Sequence, residues 1–106
     1  MLDRRKKARA LLDAWVEITA PGCRRRVTAA DISVGGLGIT LSGDPLAADA
    51  RIVSEFPLPG IGLPLELPAT VVWTDPPLGR AGLRFVDVDP GLSELLESFV
   101  AGRLAE

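Results

Sequence analysis

Asp31-Ile32-Ser33-Val34-Gly35-Gly36-Leu37-Gly38-Ile39 carries the organisation of this chain. Asp31 and Ser33 alternate with Ile32, so in an extended segment they share one face. Gly35 and Gly36 let the backbone turn through φ > 0, or let it approach another group closely. Leu37, Gly38 and Ile39 resume a strand. Taken alone, the stretch reads first as an Asx or Ser turn between two strands.

The same alternation runs outward in both directions. Ala14 to Ala20 reads as a strand, with Ala14, Val16 and Ile18 on one face and Trp15, Glu17 and Thr19 on the other. Pro21-Gly22 is a turn signal. Cys23 to Asp31 is the next strand and closes a hairpin over 14–31. Arg24, Arg25 and Arg26 lie in its first half. They suit a solvated sheet edge, where charge discourages pairing, and one of them is near enough to Asp31 in the chain to reach a shared ligand. Leu37 to Leu41 is a third strand, followed by the loop Ser42-Gly43-Asp44-Pro45. Arg51 to Phe56 is a fourth, with Ile52, Ser54 and Phe56 on one face.

Pro57 to Pro64 is a Gly/Pro-rich connection. Leu65 to Thr74 is a fifth strand: Leu65, Leu67, Ala69, Val71 and Trp73 alternate with Glu66, Pro68, Thr70, Val72 and Thr74. Trp73 is thereby assigned to core or barrel-rim packing. Pro68 argues for an edge or a bulge. Asp75 to Gly79 turns the chain, and Arg80 to Val86 is a sixth strand. Asp89-Pro90 marks a helix start, with Asp89 as cap and Pro90 at the first helical position. Leu92, Leu95, Leu96, Phe99, Val100 and Leu104 then form an apolar stripe of helical period over 90–105. Six short strands with tight turns and one terminal helix predict a mainly β fold: a small six-stranded antiparallel barrel over 14–88, capped by the helix. Residues 1–10 are charged and lack a strand pattern, which predicts a flexible arm.

Composition narrows the function. At 106 residues the chain makes one small domain. It holds no apolar run near the length of a membrane span and no apolar segment behind its charged N-terminus that would serve as a secretory signal. A single cysteine, Cys23, cannot form an internal disulfide and suits a reducing cytoplasm. No histidine and one cysteine leave no zinc cluster. The net charge of −2 is uneven. Residues 1–30 carry eight Lys and Arg against three Asp and Glu, net +5; the remainder carries four against eleven, net −7. An acidic body argues against a broad nucleic-acid surface. No nucleophile has a base partner and there is no phosphate-binding loop, so the chain is expected not to be an enzyme and to need no cofactor or metal.

Near the N-terminus stands Arg4-Arg5-Lys6-Lys7-Ala8-Arg9, giving R-x-x-x-R at Arg5 and Arg9, and D-x-S-x-x-G begins 22 residues after Arg9. This pairing resembles the PilZ domain, a family of bacterial receptors for cyclic di-GMP. Val71-Val72-Trp73, the run Gly82 to Pro90 and the terminal helix are similar to the closing elements of that family, so the resemblance spans nearly the whole chain. It implies a barrel with a C-terminal helix and a role as a stand-alone receptor that passes the signal to a further, unidentified protein.

The resemblance also implies roles for residues. Arg5 and Arg9 would grip phosphate and guanine, since a guanidinium binds both bidentately and stacks on a base. Asp31 would accept from a guanine N–H edge, because an ionised carboxylate only accepts and that edge donates. Ser33 would bond nearby, and Gly35 and Gly36 would leave room for the ring. Residues 3–10 of the arm would be mobile without ligand and ordered with it. Two rivals stand beside this reading: a PilZ-like adaptor that binds no nucleotide, and an RNA-binding barrel, against which the acidic balance and scarce aromatics argue. Arg4, directly before the motif, is compatible within the family with two stacked ligand molecules. A guanidinium can lie on the outer guanine and offset the repulsion between two dinucleotides. Calorimetry should then give about two cyclic di-GMP per chain, falling towards one in Arg4→Leu; one site in both proteins would leave Arg4 as ordinary tail charge.

Overall fold

The computed structural model describes residues 9–104. Six strands, β1 (Ala10–Ala20), β2 (Cys23–Ser33), β3 (Gly36–Thr40), β4 (Arg51–Phe56), β5 (Leu65–Asp75) and β6 (Arg80–Phe85), precede one helix, α1 (Pro90–Leu104). Every pairing is antiparallel, and the order β1-β2-β3-β6-β5-β4 closes through β1 against β4 into a barrel. Among the described residues no helix is long and apolar enough to cross a membrane.

The alternation of the sequence becomes the inside and outside of this barrel. Val16, Ile18, Ile32, Leu37, Ile39, Phe56, Leu67 and Val71 are fully buried in it. Phe56 and Phe85 stack with ring centroids 5.9 Å apart. Ser54 is also fully buried, and its hydroxyl donates to the Leu67 carbonyl at 2.9 Å, so no polar atom is left unmatched there. Asp89 caps α1, its Oδ2 accepting from the Leu92 N–H at 3.3 Å. The helix packs on β1 and β2 through Leu96 and Val100. Leu92, Leu95 and Phe99 are partly covered, whereas Leu104, expected in the same stripe, is exposed.

β1, β2 and β5 are longer than the alternation alone suggests, β4 has the expected bounds, β3 is shifted by one residue and β6 ends one residue early, at Phe85. β1 begins at Ala10, not Ala14, so Arg9 adjoins the barrel and only residues 1–8 of the expected arm lie outside the described residues. Closure removes every edge, which changes the meaning of two features. Pro68 lies at neither an edge nor a bulge; it faces Val53 of β4, and its carbonyl accepts from the Val86 N–H at 2.9 Å, just past the end of β6. The missing N–H faces that same ladder end, so the loss is confined to its last rung. The arginine triplet does not protect an edge. Arg25 donates to the carbonyls of Ser42 and Asp44 at 2.9 and 2.6 Å, and Arg26 lies over the Trp15 ring at 4.7 Å.

Two strands break strict alternation. In β2 the buried positions run Val27, Ala29 and then Ile32. Ala29 faces Ile39 and Asp31 faces Gly38, so Ala30 is an extra residue against β3. In β5 Val71 faces Leu83 and Trp73 faces Gly82, so Val72 is extra against β6. A bulge of this kind sends every later side chain to the opposite face. Trp73, expected beside Val71, is instead turned outward and is 46% exposed. The docking of α1 gives a test: Leu96→Ala should cost about 2–5 kcal/mol in urea unfolding, and a loss below about 0.5 kcal/mol would mean that the helix does not close the barrel.

Candidate functional site

The slip at Ala30 decides where Asp31 points. Continued alternation from Val27 and Ala29 would drive its carboxylate into the core, at high cost to an unpaired charge. The extra residue turns it onto the outer wall, where Arg9 meets it. Arg9 Nε donates to Asp31 Oδ1 at 2.7 Å, and Nη2 lies 2.6 Å from the same oxygen. Both contacts converge on Oδ1, so Oδ2 takes no part in this pair. Arg9 Nη1 also reaches the Ser33 hydroxyl, at a long 3.4 Å. Ser33 is 1% exposed, and its Oγ accepts from the Gly35 N–H at 3.2 Å. It braces the β2–β3 turn and steadies Arg9.

Gly36 serves the fold by close approach, and Gly35 by its backbone carbonyl. Neither is among the glycines of positive φ, which are Gly22, Gly43, Gly60 and Gly79. A Cβ on Gly36 would overlap the Leu83 carbonyl of β6, so the bare position is occupied by the neighbouring backbone and is not free room for a ligand ring. Gly35 accepts from the Phe85 N–H through its carbonyl at 2.8 Å.

These elements border a groove of about 330 Å³ on the outer wall. Arg9, Ser33, Gly35 and Gly36 line one side; Trp73 and Arg84 line the other. Arg84 is exposed and stands directly across from Gly36, where no side chain blocks it. The groove thus has a cation at each flank and an aromatic face; Asp31 is not in its lining but stands beside it through the contact with Arg9. The sequence-expected residues Arg9, Asp31, Ser33, Gly35 and Gly36 are brought together. Arg4 and Arg5 lie outside the described residues. Arg24, Arg25 and Arg26 are not in the lining.

Trp73, Gly82 and Arg84 belong to this groove but were not picked out as site residues by alternation. The signal for Trp73 was hidden by the slip at Val72. The signal for Gly82 was its type, since glycine inside a strand marks a close approach. Among the described residues no cluster of side chains could hold a metal ion.

The PilZ domain family model matches residues 3–102. The fold superposes on Bacillus subtilis inhibitor of motility (MotI/DgrA) with a TM-score of 0.81 at 21% identity, over 98% of this chain and 53% of that one. This chain therefore spans about half the length of that protein. The PilZ domain of Escherichia coli YcgR with c-di-GMP gives 0.76 at 20% identity, over 97% and 93% of the two chains. The PilZ domain of CeSA from a cellulose-synthesizing bacterium gives 0.68 at 18%, over 93% and 99%. No curated protein matches the sequence.

The geometry separates a surface pair from a packing constraint. Asp31→Asn should lower stability by less than about 1 kcal/mol, because the ion pair is part-exposed and screened. Gly36→Ala should cost at least about 1–3 kcal/mol, because its Cβ meets backbone that cannot rotate away. Urea unfolding of both variants checks this; equal losses would place the two residues in the same structural role.

Proposed function

The chain belongs to the PilZ domain family, and from that premise we propose that it is a cytoplasmic bacterial receptor for cyclic di-GMP that transmits the signal through a protein partner and catalyses no reaction. The observation that carries the reading is the Arg9–Asp31 contact. It joins the last arginine of R-x-x-x-R to the first residue of D-x-S-x-x-G, 22 positions apart, at the border of one groove. YcgR, whose PilZ domain shares this fold, was solved with c-di-GMP.

Each group has a task that its chemistry suits. Arg9 and Arg84 are cations at opposite flanks, fit to take the two phosphates or the O6/N7 edge of a guanine. Asp31 Oδ2 is fit to accept from guanine N1–H and N2–H. Trp73 offers a half-exposed indole for a purine to stack on, an interaction worth about 1–3 kcal/mol per base. Arg5 would add a second grip from the arm, and Arg4 a third where a second nucleotide stacks on the first. Ser33 and Gly36 act one step back, holding the turn and the strand contact on which Asp31 and Arg9 depend. Lys6 and Lys7 supply long-range attraction for a dianion.

A titration with cyclic di-GMP, GTP and a short RNA separates this reading from its rivals. Cyclic di-GMP alone should bind. Arg9→Ala removes a charge-assisted contact of about 1.5–3 kcal/mol, so affinity should fall roughly ten- to a hundred-fold while the unfolding midpoint stays near wild type. In a Trp15→Phe background, where Trp73 is the one tryptophan left, its emission should change on ligand addition. Unchanged affinity in Arg9→Ala would exclude the clamp, and binding of RNA in preference to the nucleotide would exclude the receptor.

A further inference from the structure

Gly38 and Gly82 face each other across the β3–β6 ladder, on the outer wall of the barrel. Glycine inside a strand weakens it and marks a place where another group lies close. Here two different groups do so. A Cβ on Gly38 would stand 2.7 and 2.8 Å from the two carboxylate oxygens of Asp31. A Cβ on Gly82 would overlap the indole of Trp73. The register sets all four in one row across four strands: Asp31 on β2, Gly38 on β3, Gly82 on β6 and Trp73 on β5. Strand spacing puts the backbones at the ends of that row about 14 Å apart.

Both ends of the row follow directly from a slip. Ala30 turns Asp31 outward from one flank, and Val72 turns Trp73 outward from the other. Outward-facing side chains ordinarily stand away from the sheet, separated by the side chains of the strands between. With two bare positions between them, these two can lie down on the wall and lean towards each other. Gly38 and Gly82 are themselves buried, and the groups placed over them are the carboxylate and the indole.

We propose that Gly38 and Gly82 are a pair of positioning residues. Lacking side chains, they seat the Asp31 carboxylate against Arg9 and the Trp73 indole at the groove, and so hold the acceptor and the stacking face of the nucleotide site in register. The proposal rests on the receptor reading for its ligand, but the seating itself exists without ligand. It also assigns the site's geometry to two residues outside D-x-S-x-x-G.

Gly38→Ala and Gly82→Ala test it, with Gly62→Ala as control, since a Cβ at Gly62 meets nothing within 4 Å. Stability should hold near wild type, because only the side chains of Asp31 and Trp73 must move and alanine restricts the unfolded chain. Two ligand-free signatures should change. The Arg9 Nε–H resonance should shift and exchange faster in Gly38→Ala. Acrylamide quenching of Trp73 should rise in Gly82→Ala on a Trp15→Phe background. Affinity for cyclic di-GMP should fall roughly ten-fold or more in each, and that fall should vanish when Gly38→Ala is made on Asp31→Ala and Gly82→Ala on Trp73→Ala.

Wild-type Arg9 and Trp73 signatures in both variants would overturn the seating, whatever the ligand. So would loss of the fold in Gly38→Ala, or an affinity loss that persists in the double variants. Changed signatures with wild-type affinity would overturn the link to binding. If the wild-type protein binds no cyclic di-GMP, the receptor reading fails, and the two ligand-free signatures still decide the seating.

Discussion

In a closed six-stranded barrel each strand residue faces either the packed interior or the wall, and that choice governs where charge can go. β2 carries apolar side chains inward at Val27 and Ala29, and strict continuation would send Asp31 after them. A lone carboxylate in that interior would be costly to keep ionised. The extra residue at Ala30 resolves the conflict by local geometry, at the expense of one irregular step in the ladder. From it follow the outward carboxylate, its contact with Arg9, the anchoring of the chain just before β1, and the seat on Gly38. The same device at Val72 brings Trp73 to the other side of the groove. The proposed nucleotide site lies between these two slips, and the β1–β2 ladder carries a further register shift between Leu11 and Ala14.

Glycine does two kinds of work here. Gly22 and Gly79 adopt positive φ in turns, at +73° and +64°, where a side chain would be strained. Gly36, Gly38 and Gly82 lie in strands and answer to space, not to torsion. Gly36 admits the backbone of β6, Gly38 a carboxylate and Gly82 an indole. That difference separates a substitution that strains the barrel from one that only displaces a side chain.

The Arg9–Asp31 pair has a double character. With side chains 39% and 21% exposed, it contributes little to stability. Its value is positional: it holds a guanidinium beside a carboxylate oxygen that remains outside the pair. A dianionic purine ligand would meet both a cation and an acceptor already in place, which lowers the ordering cost of binding.

Much of this was legible in the residues themselves. The six strands and the cap at Asp89 and Pro90 follow from period and turn chemistry, which are local properties of the chain, whereas the pairing of Arg9 with D-x-S-x-x-G, 22 residues apart, was implied by the family resemblance. Asp31, Ser33 and Ile32 kept their alternation because the slip falls just before them. Trp73 was misplaced, because one unpaired residue at Val72 inverts the faces and leaves no mark in the pattern. Pro68 and the arginines at 24–26 were assigned to edges that closure abolishes, and closure is a pairing of β1 with β4 over more than thirty residues of chain. The importance of Gly38 and Gly82 was equally out of reach of the sequence. Each glycine is defined by what lies on it, and both Asp31 and Trp73 come from other strands. Sequence therefore determined the elements and the motif residues, through interactions a few residues long. Tertiary structure alone decided the register, and with it which side chains face each other across the wall.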